Sequence, residues 1–155
     1  MRKRCTGFTL LELMIVIVLI GVLLGMASFA TGLNPARQAR QEAHALAQVM
    51  QQLRERAVIE GREYGLRLSI EGYRVMRYDI RGWESAGSFY RWPDNVRVRL
   101  KQDGYSLILG ADAGPPQLLL LSSDETSAFT LTFMSADRTW LSLSGDGIGE
   151  VVIDG

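Results

Sequence analysis

Arg2-Lys3-Arg4-Cys5-Thr6-Gly7-Phe8-Thr9-Leu10-Leu11-Glu12-Leu13 opens a stretch that then carries no charged residue as far as Ala36. That stretch exceeds the roughly 20 apolar residues a helix rising about 1.5 Å per residue needs to cross a bilayer. A transmembrane helix is expected over 8–34. The positive-inside rule holds the basic stub, residues 1–7, in the cytoplasm and puts the rest of the chain on the far side. A secretory signal opens in a similar way, but its apolar run is only about 7 to 15 residues long. An acid at the start of that run would weaken an ordinary signal, and Glu12 sits there.

A carboxylate at the margin of the hydrocarbon layer costs up to about 3 kcal/mol if it lacks a partner, so Glu12 marks a partner. Cleavage between Gly7 and Phe8 would create an α-amino group four residues ahead of Glu12, about one helical turn away. The carboxylate would then neutralise that amine, or the amine of a neighbouring chain.

The segment Gly7-Phe8-Thr9-Leu10-Leu11-Glu12-Leu13 resembles the type III signal of type IV pilins and type II secretion pseudopilins. The resemblance implies that a membrane prepilin peptidase cuts after Gly7 and that Phe8 becomes the N-methylated mature terminus. It also implies that Glu12, at the fifth mature position, guides assembly.

Beyond the signal, Gly21, Gly25, Ser28 and Gly32 fall on one helical face. Small residues let helices approach closely in lipid, although glycine is also simply common in membrane helices. Pro35 should interrupt or bend the helix and is a candidate hinge. Ala39, Ala43, Leu46, Met50, Leu53 and Ala57 then recur at spacings of four and three, so residues 35–60 read as an amphipathic helix with one buried face.

From Gly61 the period changes to two. Tyr64 to Ile70 with Tyr73 to Asp79, and Val96 to Lys101 with Tyr105 to Leu109, read as hairpins. Further strands are expected over Leu118 to Ser122, Phe129 to Met134, Thr139 to Ser144 and Ile148 to Ile153. About eight short strands beside one long helix make an α+β module with a β-rich head over 61–155.

Arg97, Arg99 and Lys101 alternate with Val96, Val98 and Leu100, which describes either a wet sheet face or a docking surface. Residues 54–101 are net positive and residues 102–155 net negative, a pattern that would let subunits stack through complementary fields. The whole chain nevertheless balances 17 basic against 17 acidic side chains, which removes the usual electrostatic case for binding nucleic acid.

No catalytic constellation, metal cluster or cofactor site is expected. His44 is the lone histidine and Cys5 the lone cysteine. The set Ser122, Ser123, Asp124 and Glu125 has no base to activate a nucleophile. Gly145-Asp146-Gly147 lacks the EF-hand ligand spacing and reads as a turn. The loop Gly110 to Pro116 is expected to be mobile, and Trp83, Trp92 and Trp140 to be core or sheet-edge anchors.

Arg62 to Leu68, Tyr73-Arg74-Val75, Arg77-Tyr78-Asp79, Pro116 to Ser123 and Leu141 to Gly147 look like the H-type (GspH) minor pseudopilin of type II secretion. The resemblance implies a long N-terminal helix, half transmembrane and half amphipathic, packed on a β-sandwich-like head of two antiparallel sheets. It implies a single-pass protein of the bacterial inner membrane with a periplasmic head. Such a subunit sits at or near the tip of the pseudopilus and supports export of folded proteins across the outer membrane. Its partners would be the other minor pseudopilins, the major pseudopilin, the inner-membrane assembly platform and the prepilin peptidase/N-methyltransferase. The alternative is a minor type IV pilin of the same superfamily, acting in pilus assembly, twitching or DNA uptake.

Overall fold

The structure, a computed structural model, describes residues 10–30, 34–136 and 138–155, with backbone only for 23–30. Helix α1 (Leu10–Ala30) belongs to one compact unit and residues Asn34–Gly155 to a second. In α1 the only charged residue is Glu12, in the first turn. Its described side chains, from Leu10 to Val22, are all exposed. Among the described residues no helix is long and apolar enough to cross a membrane.

Helix α2 (Pro35–Glu60) starts and stops for local reasons. The Asn34 Oδ1 accepts a hydrogen bond from the Ala36 amide at 3.1 Å, satisfying one of the donors left open at a helix start. Pro35 fills the first helical position, where its missing N–H costs nothing. Gly61 closes the helix in the left-handed conformation (φ +61°) and donates to the Ala57 carbonyl. The buried face comprises Ala39, Ala43, Leu46, Met50, Leu53 and Ala57, as its spacing requires.

Among the described residues nine strands follow: β1 (Tyr64–Leu68), β2 (Gly72–Asp79), β3 (Gly82–Arg91), β4 (Arg97–Gln102), β5 (Tyr105–Leu107), β6 (Leu118–Leu120), β7 (Phe129–Ser135), β8 (Arg138–Gly145) and β9 (Val152–Asp154). They form two antiparallel sheets, ordered β3-β2-β1-β6 and β5-β4-β7-β8-β9. The expected eight strands are present with altered bounds: β1, β5, β6 and β9 are shorter than expected, β2, β7 and β8 are longer, β4 is displaced by one residue, and β3 is additional. Its sequence, Gly-Trp-Glu-Ser-Ala-Gly-Ser-Phe-Tyr-Arg, is mostly exposed and has no alternation to betray it. Pairing with β2 alone makes it a strand.

Between the sheets and α2 lies one core. Leu66, Leu68, Leu118 and Leu120 come from the first sheet, Leu100, Leu131, Phe133 and Leu143 from the second, and Leu46 and Met50 from the helix. Each such side chain contributes about 1.5–3 kcal/mol relative to exposure. Trp92 joins the layers: its ring stands 5.1 Å from that of Tyr73 and edge-on to Phe133 at 6.1 Å, while its indole N–H donates to the Ser69 carbonyl at 3.2 Å.

Proline at 116 cannot extend the β6 pairing past Leu118, because it has no amide to donate. The Gln117 side chain does so instead. Its Oε1 accepts from the Leu68 amide at 2.8 Å and its Nε2 donates to the Leu68 carbonyl at 3.1 Å. From the second sheet the Gln102 side chain donates to the Gln117 carbonyl at 3.0 Å, linking the sheets.

The loop ahead of β6 is pinned, contrary to the expectation of mobility. Arg67 on β1 and Arg74 on β2 both donate to Asp112, each Nε at 2.7 Å, and Arg67 also reaches the Gly114 carbonyl at 2.8 Å. Partners 45 and 38 residues away hold this loop against the outer face of the first sheet.

Candidate functional site

Ser122, Asp124 and Asp146 are each engaged in contacts that hold the head together. Ser122 donates its hydroxyl to Glu63 at 2.8 Å and its amide to the same carboxylate at 3.1 Å. Asp124 accepts from Arg54 at 2.6 and 3.1 Å, and Arg54 also donates to the carbonyls of Ile148 and Gly149 at 2.7 and 2.8 Å. One guanidinium on α2 thus ties down two loops. Asp146 accepts from the amides of Gly149 (2.7 Å) and Ile148 (3.0 Å), which close the turn and hold its carboxyl below the ordinary range. His44 lines a shallow cleft with Arg40, Leu141, Ile153 and Gly155. Among the described residues no group of three or more histidine, cysteine, aspartate or glutamate side chains could hold a metal ion.

Charge pairing separates the two sheets. Every cation on the first sheet has a carboxylate: Arg67 and Arg74 share Asp112, Arg77 meets Glu84 at 2.6 Å, and Arg91 meets Glu71 at 3.2 Å. Together with Arg54 and Asp124, these contacts show that part of the positive middle of the chain is neutralised by its negative end inside one head.

The second sheet differs. Arg138 stacks over Trp140 at 4.6 Å, and Arg97, Arg99 and Lys101 on β4 are exposed. Among the described residues these three form no ion pair. Their register explains this: they stand opposite Met134, Thr132, Thr130 and Ser106, and neither flanking strand carries an acid. Alternate residues on a strand are about 7 Å apart, so neighbouring charges in the row repel by about 0.6 kcal/mol per pair in water.

Beside the row lies apolar surface. Arg97 and Arg99 line an open cleft of about 460 Å³ together with Ile70, Leu107, Ile108 and Met134. Ile108 is 99% exposed and Ile70 68%.

Of the other residues singled out from sequence, Glu12 lies in the first turn of α1 and is exposed. A Cβ added at Gly21 would meet nothing within 4 Å. Gly25 and Ser28 are described in backbone only, and Gly7, Phe8 and Gly32 lie outside the described residues. Pro35 opens α2. The Asp112 clamp and the Arg54 bridge were not foreseen, because no local pattern links residues so far apart in sequence.

The model of the prokaryotic N-terminal methylation motif matches residues 2–28, and that of type II transport protein GspH matches residues 42–147. Type II secretion system protein H of Pseudomonas aeruginosa is 40% identical over 160 residues, covering 94% of this chain and 93% of its own. The protein of the same name from Aeromonas hydrophila is 27% identical over 155 residues, with 88% and 85% covered. Among solved structures, the minor pseudopilin EpsH from the type 2 secretion system of Vibrio cholerae aligns with a TM-score of 0.66 at 17% identity, over 76% of this chain and 96% of that one. Escherichia coli GspH gives 0.64 at 18%, over 76% and 88%. These two structures share the fold.

Proposed function

Since the chain belongs to the type II transport protein GspH family, we propose that it works as a minor pseudopilin, a structural subunit that builds the type II secretion pseudopilus and supports export of folded proteins. One observation carries the reading: a basic leader, Gly7-Phe8, Glu12 and an uncharged run stand ahead of a head with the protein H architecture. Prepilin peptidase cuts after Gly7 and Phe8 is methylated. Residues 8–34 anchor the subunit in the inner membrane, residues 35–60 carry the amphipathic helix, and the head of residues 61–155 stands in the periplasm. The Glu12 carboxylate meets a liberated terminal amine and recruits the stem into the polymer, where Gly21, Gly25, Ser28 and Gly32 let neighbouring stems approach. Pro35 lets the stem and the following helix adjust to each other. The subunit takes its place at or near the pseudopilus tip, among the other minor pseudopilins and above the major one.

The expected result is that protein isolated from membranes lacks residues 1–7 and carries a methylated Phe8 by mass spectrometry. Deleting the gene should block export of folded proteins while leaving twitching and DNA uptake intact. Retention of the leader in working protein overturns the reading. Loss of twitching or DNA uptake with export spared assigns the chain to type IV pili instead.

A further inference from the structure

We propose that the cation row of β4 and the adjoining apolar cleft form a docking surface for an acidic segment of a different protein subunit. In this arrangement an aliphatic or aromatic side chain of the partner fills the cleft, and flanking carboxylates pair with Arg97, Arg99 and Lys101. The inference deepens the pseudopilin reading and rests on it.

Electrostatic contrast is the first argument. Elsewhere on the sheets arginines are matched within the head by a carboxylate or, for Arg138, an aromatic face, whereas three adjacent cations on β4 are left without acids on either neighbouring strand. A row of like charges that repel one another becomes favourable when carboxylates from outside neutralise it. The second argument is the apolar surface beside the row. Ile70, Leu107 and Ile108 stand exposed beside Arg97 and Arg99 in a single cleft. An apolar anchor with a charged rim is the anatomy of a protein–protein contact. Nucleic acid phosphates would satisfy the cations but leave the cleft empty. The third argument concerns which protein docks. In the pseudopilin reading the neighbours of a minor subunit in the polymer are other subunits, and this head's own Asp112, Asp124, Glu63, Glu71 and Glu84 are already engaged in its own contacts. A different subunit is the better match. The outer edge of β5, which among the described residues has no strand partner, adjoins the cleft and gives the incoming segment backbone groups to bond.

The test uses the full-length protein in exporting cells, with a photo-crosslinking amino acid at position 108 and, as a control, at Ser88 on the other sheet. Mass spectrometry of the position-108 adduct is expected to map a carboxylate-rich segment of another subunit. The combined Arg97→Glu, Arg99→Glu and Lys101→Glu variant should lower the adduct about tenfold, and Arg97→Lys with Arg99→Lys should retain it. Lysines placed at the mapped carboxylates should restore the adduct to the reversed row, which also shows that the reversed head is folded. An adduct insensitive to reversal, an adduct to a second copy or to nucleic acid, or no adduct at all overturns the proposal. Incorporation of the unmodified chain into sheared polymer is followed in the same cells. A chain that polymerises without giving the adduct defeats the docking surface alone, and a chain absent from the polymer defeats both readings.

Discussion

Pro116 lies so close to Gly65 that a Cβ at position 65 would stand 2.6 Å from the Pro116 Cγ and 2.7 Å from its Cβ. The proline ring rests on bare backbone, and that contact seats the loop which Asp112 fastens. Gly65→Ala must lift the loop or bend β1, because the ring has little freedom to yield. A loss of about 1–3 kcal/mol is expected, read from the urea midpoint of the head. An unchanged midpoint would show that the loop gives way without cost.

Asp112→Asn keeps the side-chain shape and removes the charge shared by two arginines. Hydrogen bonds from Arg74 foremost, and from Arg67, hold the Asp112 carboxyl below its ordinary value of 3.8. Its stabilisation is therefore complete above that value and fades as acid carries the pH through the lowered folded value. The asparagine variant should be less stable at pH 7 and should lose less on acidification. Unfolding midpoints at pH 7 and near pH 3 check both halves.

Arg54→Lys should loosen two loops at once, since an ammonium cannot reproduce a fork that reaches one carboxylate and two carbonyls. Hydrogen exchange is expected to quicken at the Thr126 and Gly149 amides and to stay unchanged in β1. The predicted destabilisation is about 1–2 kcal/mol. Uniform exchange across the head would argue that the bridge contributes nothing local.

Burial first, then Tyr90 and Glu42, pushes the Tyr73 phenol up to about 12. The folded head thus favours the neutral phenol. This contribution is present below the ordinary value of 10.0 and is lost as pH rises towards 12. Tyr73→Phe, which keeps the ring contacts with Trp92 and Tyr90, should flatten the alkaline fall in stability. Spectrophotometric titration should show one fewer phenol ionising above the ordinary value.

Glu12→Gln is expected to abolish recovery of the chain in sheared polymer while leaving the unfolding of the head untouched, because the two lie in separate compact units. Full recovery of the variant in polymer would contradict the assembly role given to the carboxylate.

How far the chain could be read in advance depended on distance along it. The buried face of α2 was legible because Ala39, Ala43, Leu46, Met50, Leu53 and Ala57 follow the helical period. Its caps, Asn34 and Gly61, act within a few residues of themselves. The hairpins of β1 with β2 and of β4 with β5 showed in their alternation. Strand β3 was not legible: an exposed edge needs no apolar period, and only the backbone of β2 recruits it. The mobile reading of the loop failed for the same reason, since its anchors Arg67 and Arg74 precede it by dozens of residues.

Local order and chain class were written in the amino acids, because periodicity, caps and the leader motif act over a turn or a few residues. Which charges cancel was settled only by folding. Asp112 and Asp124 find their arginines across the head, whereas Arg97, Arg99 and Lys101 face strands without an acid. Coulomb attraction depends on separation in space, and sequence does not contain that distance until the sheets have paired.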